Sequence, residues 1–109
     1  MAANARDRVL ASSEIDAALA KLTNWSVDLD RNALRRHIEL EDFAAAFGLM
    51  TRIAILAEKA DHHPEWSNVY NRLDIWLTTH DVGGISGRDI ALATAIDMCL
   101  ASSGHGDRR

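Results

Sequence analysis

Apolar residues recur three or four positions apart, the spacing of a helix face, in three stretches of this chain. A short first helix is predicted from Ser13, which has the S-x-x-D spacing of an N-terminal cap, to a stop near Asn24. A long second helix is predicted over residues 41–60, and a third after Ser86, which repeats the S-x-x-D spacing. The core-facing stripe of the long helix is predicted to consist of Phe43, Phe47, Met50, Ala54 and Ala57.

Two pairs of β-strands are predicted between these helices. Residues 25–29 and 33–40 alternate apolar and polar positions, and the turn-forming residues 30–32 between them predict a hairpin. Residues 66–80 are also strand-like, but a single strand of that length would span roughly 50 Å, which is too long for a domain of this size. We therefore predict strands over residues 66–70 and 73–79, with a turn at Asn71-Arg72. Arg35 and Arg36 loosen the alternation, which indicates that one face of the sheet meets solvent.

The predicted order of elements is αββαββα, which is typical of an α+β fold. An antiparallel sheet of four strands with three helices packed on one face satisfies this order. The sequence contains no stretch typical of a linker, so we expect a single domain over residues 1–109 with an ordered core at about residues 12–101. The open sheet face and the edge strands favour self-association.

Composition narrows the class of protein. The chain has 109 residues, of which 48% are hydrophobic, and this favours a globular chain over a disordered one. A net charge of −4 disfavours non-specific binding to nucleic acid, and no apolar run is long enough to span a membrane. Cys99 is the single cysteine and residues 1–11 have no apolar segment of a secretory signal, so the sequence predicts a cytoplasmic protein.

Five histidines give the sequence its candidate chemistry. His62 and His63 follow the predicted end of the long helix, where Pro64 stops the helix, and His80 closes the last predicted strand. These three imidazoles are expected to meet at one end of the sheet. Asp89, in the first turn of the last helix, is placed to orient one of them through a hydrogen bond. Of the other two histidines, His37 is expected to lie on the polar face of a strand, and His105 belongs to the polar C-terminal tail.

Three readings of this group remain open on spacing alone. Imidazoles near a carboxylate can serve general acid–base catalysis, because they exchange protons near neutral pH. A metal site is less well supported, since adjacent histidines lack the i, i+4 spacing of a helical ligand pair and no cysteine-based pattern is present. The histidines can also be exposed turn residues, Asp89 a helix-capping carboxylate, and Glu58 a solvent-facing residue of the last helical turn.

Three segments of the sequence, residues 58–71, 78–80 and 84–90, resemble the pterin-4a-carbinolamine dehydratase family. The shared pattern is an acidic residue, three further residues, His-His-Pro, an aromatic residue, a third histidine, and an aspartate that opens a helix. The close part of the resemblance covers about residues 56–96, and the first helix and hairpin match in layout. The bulky Trp76 and the weak helix former Gly87 depart from the pattern without touching the histidines.

The resemblance implies a hydro-lyase with the αββαββα fold. Its implied reaction is the loss of water from 4a-hydroxytetrahydrobiopterin, giving quinonoid dihydropterin in the recycling of tetrahydrobiopterin. The resemblance implies that His62, His63, His80 and Asp89 are catalytic, with His62 and His80 as the acid–base pair and Asp89 orienting or charging a histidine. It implies that the substrate is bound by Glu58, His63, Trp66 and Arg88.

The resemblance also sets expectations about ligands and partners. It implies no metal and no cofactor, because the pterin is the substrate, and it implies a homodimer or homotetramer. Neither nucleic acid nor membrane is expected to be a direct partner. Members of the family also stabilise dimers of a transcription factor, so the alternative function is a binding module, with Thr51, Arg52 and Ile55 of the long helix as its contact patch.

Overall fold

The computed structural model describes residues 8–102 and has the predicted α+β order of elements. His105 lies outside the described residues. A 3-10 helix at His80–Val82 is the one element that the sequence pattern did not predict within the described range. The elements are α1 (Ser12–Leu19), β1 (Ser26–Asp28), β2 (Ala33–Glu39), α2 (Phe43–Ala60), β3 (Glu65–Val69), β4 (Arg72–Leu77) and α3 (Gly87–Ser102).

The four strands form one antiparallel sheet in the order β1-β2-β4-β3. The hairpin predicted between β1 and β2 is present, with Asp28 paired to Ala33 across the turn. The turn between β3 and β4 lies one residue earlier than predicted, because Arg72 already pairs with Val69. This leaves the turn to Tyr70 and Asn71, and Tyr70 adopts a φ of 52°.

The hydrophobic core lies between one face of the sheet and the helices. Alternate residues of β2 and β4 point inwards and are buried, among them Leu73, Ile75 and Leu77 of β4. The helices cover this face with buried aliphatic side chains of α2 and α3, while Ile15 and Leu19 of α1 pack against the same core. Within residues 8–102, no helix is both long and apolar enough to cross a membrane.

The predicted core stripe of α2 is confirmed at Ala57, which is buried, and in part at Met50, which is partly buried against the core, but it is wrong at the other positions. The residues of α2 that are buried are Ala46, Leu49, Ile53 and Ala57, whereas the side chains of Phe43 and Phe47 are 49% and 53% exposed. Both sets of residues repeat at helical spacing, because α2 is apolar around much of its circumference. Periodicity therefore predicts the helix but not which of two apolar stripes meets the sheet.

Arg36 lies on the core-facing side of the sheet and not, as the sequence pattern indicated, on the solvent-facing side. Its side chain points into the core and is 3% exposed, and its Nη1 donates a hydrogen bond to Asp97 Oδ1 of α3 at 2.5 Å. The indole Nε1 of Trp25 donates to the same carboxylate oxygen at 2.9 Å. A buried arginine is tolerated when its charge is paired in this way, so Arg36 joins the sheet to α3.

The start of α1 also differs from the prediction. The N-terminal cap is Ala11 rather than Ser13, and Ser13 lies inside the helix. Glu14 carries the capping interaction, because its Oε1 accepts the backbone N–H of Ala11 at 2.8 Å. Arg8 donates two further hydrogen bonds to the same carboxylate, and its guanidinium lowers the pKa of Glu14 to about 2.

The outer face of the sheet carries a network of polar side chains. Trp76, which is bulky for an open strand position, lies under the guanidinium of Arg31 at 3.8 Å and donates its Nε1–H to Asp28 at 2.9 Å. His37 lies on this face as predicted, with Nε2 3.0 Å from Glu39 and Nδ1 2.8 Å from Asp74. The carboxylates of Glu39 and then Asp74 raise the pKa of His37 above its ordinary value.

The phase of α2 is testable by a matched pair of substitutions. Ile53→Ala removes a buried side chain and leaves a cavity, so it should lower the free energy of unfolding by about 2–5 kcal/mol. Ile55→Ala makes the same chemical change at a position that is 57% exposed, and it should cost less than about 1 kcal/mol. Urea denaturation, at protein concentrations over which the midpoint is constant, measures both. Equal losses would contradict the observed phase.

The raised pKa of His37 makes a prediction about pH. Because the folded protein binds this proton more tightly than the unfolded chain, the stabilisation is complete below the ordinary value of 6.5 and disappears as pH rises through the higher folded value. The difference in unfolding free energy between the parent protein and His37→Gln should therefore shrink across that interval. Urea titrations at several pH values measure it, and a difference that is independent of pH would refute the assignment.

Candidate active site

The three histidines that the sequence predicted to converge do line one cleft. The cleft has a volume of about 220 Å³ and lies between the C-terminal end of α2, the segment after β4 and the start of α3. Its lining residues are Asp61, His62, His63, Thr78, Thr79, His80, Asp81 and Arg88.

The end of α2 positions His62. Asp61 adopts a left-handed conformation, with φ 51° and ψ 43°, and its N–H donates to the carbonyl of Glu58 at 3.1 Å. The N–H of His62 donates to the carbonyl of Ala57 at 3.1 Å, so these two bonds close the helix with a Schellman-type cap. Aspartate tolerates the left-handed region better than most residues, and Pro64 prevents the helix from continuing.

His62 forms a buried pair with Asp89. Its Nε2 lies 2.6 Å from Asp89 Oδ1, and the two residues are 9% and 0% exposed. The contact that the sequence analysis expected between Asp89 and one imidazole is therefore present. Because a carboxylate accepts hydrogen bonds, Nε2 carries the proton in this pair. Nδ1 of the neutral ring is then the nitrogen that can accept a hydrogen bond or a proton from another molecule.

The same carboxylate also caps α3. The backbone N–H of Ser86 donates to Asp89 Oδ2 at 2.8 Å, which is the reciprocal contact that the S-x-x-D spacing predicted. Thr79 Oγ1 donates to Oδ2 as well, at 2.8 Å. Capping and orienting a histidine were alternative explanations of Asp89, and its two oxygens do both.

His63 and His80 are exposed, and each lies beside a glutamate. His63 Nε2 is 2.8 Å from Glu58 Oε1, and His80 Nε2 is 2.9 Å from Glu65 Oε2. Their side chains are 58% and 78% exposed, so these contacts are weak sources of stability. Both rings are accessible to a molecule that enters the cleft.

The prediction that His80 closes the last strand is wrong, because β4 ends at Leu77 and His80 begins the 3-10 helix. The chain turns through the 3-10 helix, and Thr79 pairs with Gly84 in an isolated bridge. Gly83 has a φ of 79°, which favours glycine. A Cβ on Gly84 would lie 2.9 Å from the side-chain amide of Asn32, which donates to the carbonyl of Gly83. The two glycines thus let the β1–β2 turn hold the loop that carries His80.

The remaining residues implied by the resemblance occupy different places. Arg88 lines the cleft, whereas Glu58 is exposed and touches the site through His63. Trp66 lies on the inner face of β3 opposite Ile75 and packs against the core, outside the described lining of the cleft. Its role as an apolar wall beside a substrate stays a prediction.

Sequence reasoning did not single out several residues of the site. Thr79 and Ser86 are 6% and 0% exposed and form hydrogen bonds around Asp89. Glu65 contacts His80 from the start of β3. Their sequence signal was weak: Thr79 looked like the last residue of a strand, Ser86 like a simple cap, and Glu65 like a surface residue beside Pro64.

The arrangement is suited to proton transfer. Each of three imidazoles at one cleft has a carboxylate as a hydrogen-bonding partner, and imidazole–carboxylate pairs are a common arrangement in general acid–base catalysis. Among the described residues, no three His, Cys, Asp or Glu side chains are grouped so that they could hold one metal ion.

Comparison with known proteins gives a consistent result. Residues 8–99 match the family model described as pterin 4 alpha carbinolamine dehydratase. A protein of Rhizorhabdus wittichii, named as an inferred pterin-4-alpha-carbinolamine dehydratase, is 56% identical over 88 residues, which are 81% of this chain and 91% of that protein. A protein of Bradyrhizobium sp. with the same name is 49% identical over 96 residues, which are 88% and 96% of the two chains.

A solved structure is also similar. The crystal structure of a transcriptional coactivator/pterin dehydratase from Brucella melitensis superposes with a TM-score of 0.81 and is 41% identical in sequence. The match covers 84% of this chain and 98% of that chain.

The geometry around Asp89 predicts a change of tautomer. In Asp89→Asn, the amide oxygen should keep the bonds from Thr79 and Ser86, which turns the amide NH₂ towards His62. Neutral His62 should then carry its proton on Nδ1 instead of Nε2, because Nε2 must accept. Long-range ¹H–¹⁵N NMR spectra of the neutral ring identify the tautomer, with His37 as an internal reference. An unchanged Nε2–H tautomer would contradict the assigned contact.

Proposed function

Because this chain belongs to the pterin-4-alpha-carbinolamine dehydratase family, we propose that it removes water from a 4a-hydroxytetrahydropterin and releases quinonoid dihydropterin. We further propose that the substrate is 4a-hydroxytetrahydrobiopterin and that the reaction serves tetrahydrobiopterin recycling. The observation that carries the proposal is the buried His62–Asp89 pair at a cleft shared with two more histidines.

The reaction requires two proton transfers. The bond between C4a and its oxygen breaks, and the oxygen leaves as water after it takes a proton from an acid. A ring nitrogen loses a proton to a base, and its electron pair forms the new double bond to C4a. Because one proton is given and one is taken, histidines of suitable position can serve both steps. The carbon skeleton undergoes no net oxidation, so the proposed reaction needs no redox cofactor.

The proposed roles follow from the two kinds of histidine environment. His62 is held by Asp89 through Nε2, so its Nδ1 is the nitrogen that exchanges a proton with the substrate. His80, which is exposed and lines the same cleft from the segment after β4, is the second member of the acid–base pair. His63 positions the substrate and is itself held by Glu58.

Arg88 is proposed to bind the substrate from the start of α3. It lines the histidine cleft, and it also lines a smaller cavity of about 110 Å³ that includes Leu56, Ala60 and Leu92. A guanidinium presents several donors in one plane, which suits the carbonyl and ring nitrogens of a pterin.

We propose that the protein forms a homodimer or homotetramer through the exposed side of α2. Phe43 and Phe47 lie next to each other there, with ring centroids 5.7 Å apart, and each is about half exposed. Ile55 and Met98 add exposed apolar area beside a groove of about 540 Å³ between α2 and α3. Exposed apolar area of this kind is typical of a surface that a partner covers.

The second candidate function is a protein-binding module. The similar protein from Brucella melitensis is described as a transcriptional coactivator as well as a pterin dehydratase. Thr51, Arg52 and Ile55, the contact patch predicted from the sequence, are all exposed on α2. These side chains lie on a different face from the histidine cleft, so both functions can reside in one chain.

Substitution of the histidines tests the dehydratase proposal. His62→Ala and His80→Ala should each lower the dehydration rate by about 10²–10⁴-fold, the usual contribution of a general acid or base. The rate is measured by stopped-flow absorbance on synthetic 4a-hydroxytetrahydropterin. His37→Ala is the matched control, because it removes an imidazole on the outer sheet face and should leave the rate unchanged. Full activity of both cleft variants, with intact folding, would refute the proposal.

The triple variant His62→Ala, His63→Ala, His80→Ala separates the two candidate functions. A dehydratase loses its activity in this variant, whereas a binding module keeps its affinity for a purified transcription-factor dimerisation segment. Thr51→Arg supplies the converse control, since it changes an exposed residue of the proposed contact patch that does not line the groove between α2 and α3, and it leaves the cleft residues in place.

A further inference from the structure

A chain of buried hydroxyl groups ends on the carboxylate that holds His62. Thr79 Oγ1 lies 2.8 Å from Asp89 Oδ2, and Ser86 Oγ lies 2.7 Å from Thr79 Oγ1. The backbone N–H of Arg88 donates to Ser86 Oγ at 3.2 Å. Thr79, Ser86 and Asp89 are 6%, 0% and 0% exposed, so this chain is shielded from solvent along its whole length.

The direction of these hydrogen bonds is fixed by the number of protons available. An ionised carboxylate only accepts, so the single hydroxyl proton of Thr79 points at Asp89. Thr79 Oγ1 must then accept from Ser86, whose own oxygen accepts from the N–H of Arg88. Every donor therefore points the same way, towards Asp89 and, through it, towards His62.

We propose that Thr79 is a positioning residue of the reaction, whose hydroxyl holds Asp89 in its ionised form and thereby sets the pH range over which His62 exchanges protons. Ser86 supports it by fixing the rotation of that hydroxyl. This inference rests on the proposed function for its kinetic consequence, but the hydrogen-bond chain itself does not depend on the substrate.

The sign of the effect follows from charge. The His62–Asp89 pair has a net charge of −1 when the imidazole is neutral and zero when it is protonated. The positive end of the Thr79 hydroxyl faces this pair, so it stabilises the negatively charged form relative to the neutral one. Loss of the hydroxyl therefore favours protonation of the pair. Whether His62 acts as acid or base, the limb of the pH–rate profile that it controls moves to higher pH.

Other charged groups face His62 and set the background for this effect. Asp61 and His63 flank it in the sequence, Asp89 contacts it from α3, and Arg88, His80 and Asp81 line the same cleft. None of these groups is changed by a substitution at Thr79. A shift in the profile of a Thr79 variant is therefore attributable to the hydroxyl.

Thr79→Val is the informative variant, because it keeps the shape of the side chain and removes the hydroxyl. We expect the His62-dependent limb of the kcat/KM profile to move up by about 0.5–1 pH unit, a threefold to tenfold change in the protonation equilibrium. The other limb should stay in place. Thr79→Ser is the matched control, since it keeps the hydroxyl and loses only a methyl group, and it should restore the parent profile.

A second readout does not depend on catalysis. The ¹⁵N signals of the His62 ring are followed by NMR as a function of pH in the parent protein and in both variants. In Thr79→Val the midpoint should move in the same direction as the kinetic limb, and in Thr79→Ser it should stay at the parent value. If Thr79→Val does not fold, Ser86→Ala replaces it; it keeps the Thr79–Asp89 bond and should give a smaller shift in the same direction.

The outcomes separate this inference from the proposed function. Absence of dehydration in the parent protein refutes the function, while the NMR midpoints still test the hydroxyl chain. A His62 midpoint that is the same in the parent protein and in Thr79→Val, or one that moves to lower pH, overturns the inference even if the enzyme is active. A loss of stability in Thr79→Val without any shift of midpoint assigns Thr79 a structural role only.

Discussion

The site depends on one buried carboxylate, that of Asp89. Its Oδ2 accepts the first N–H of the α3 cap and the hydroxyl of Thr79, and its Oδ1 accepts from His62. The end of α2, the segment after β4 and the start of α3 therefore meet on two oxygen atoms. A buried anion is costly unless it is satisfied by several donors, so none of these segments can shift without loss of stability. The requirement to satisfy Asp89 is what gives the cleft a fixed shape.

A second buried charge holds the opposite part of the same helix. Arg36 crosses from the sheet to Asp97 of α3, and Trp25 donates to the same carboxylate. Asp89 and Asp97 lie two turns apart on α3, so the helix is fixed to the rest of the fold by two polar contacts within an apolar interface. Within the apolar packing of α3, Asp97 joins the helix to β2, and Asp89 joins its start to the end of α2 and to the segment after β4.

Much of this arrangement is predictable from local sequence, and the rest depends on tertiary contacts. The S-x-x-D spacing at Ser86 predicts both the helix start and its reciprocal cap, because a cap is a short-range interaction. The convergence of His62 and His80 follows from the order of elements. The burial of Arg36 and the stripe of α2 that faces the sheet were not predictable, because both are decided by what lies opposite. The Thr79 donor to Asp89 was missed for the same reason: Thr79 is ten residues from Asp89, across a loop whose path depends on Asn32.

The left-handed residue at the end of α2 ties the integrity of the site to the fraying of a helix. The bond between the N–H of His62 and the carbonyl of Ala57 closes the last turn, so the residue that ends the helix also carries the imidazole held by Asp89. Helix ends open with far smaller free energies than whole domains. Hydrogen exchange at residues 61 and 62 therefore measures the local opening of this turn while the global fold stays intact.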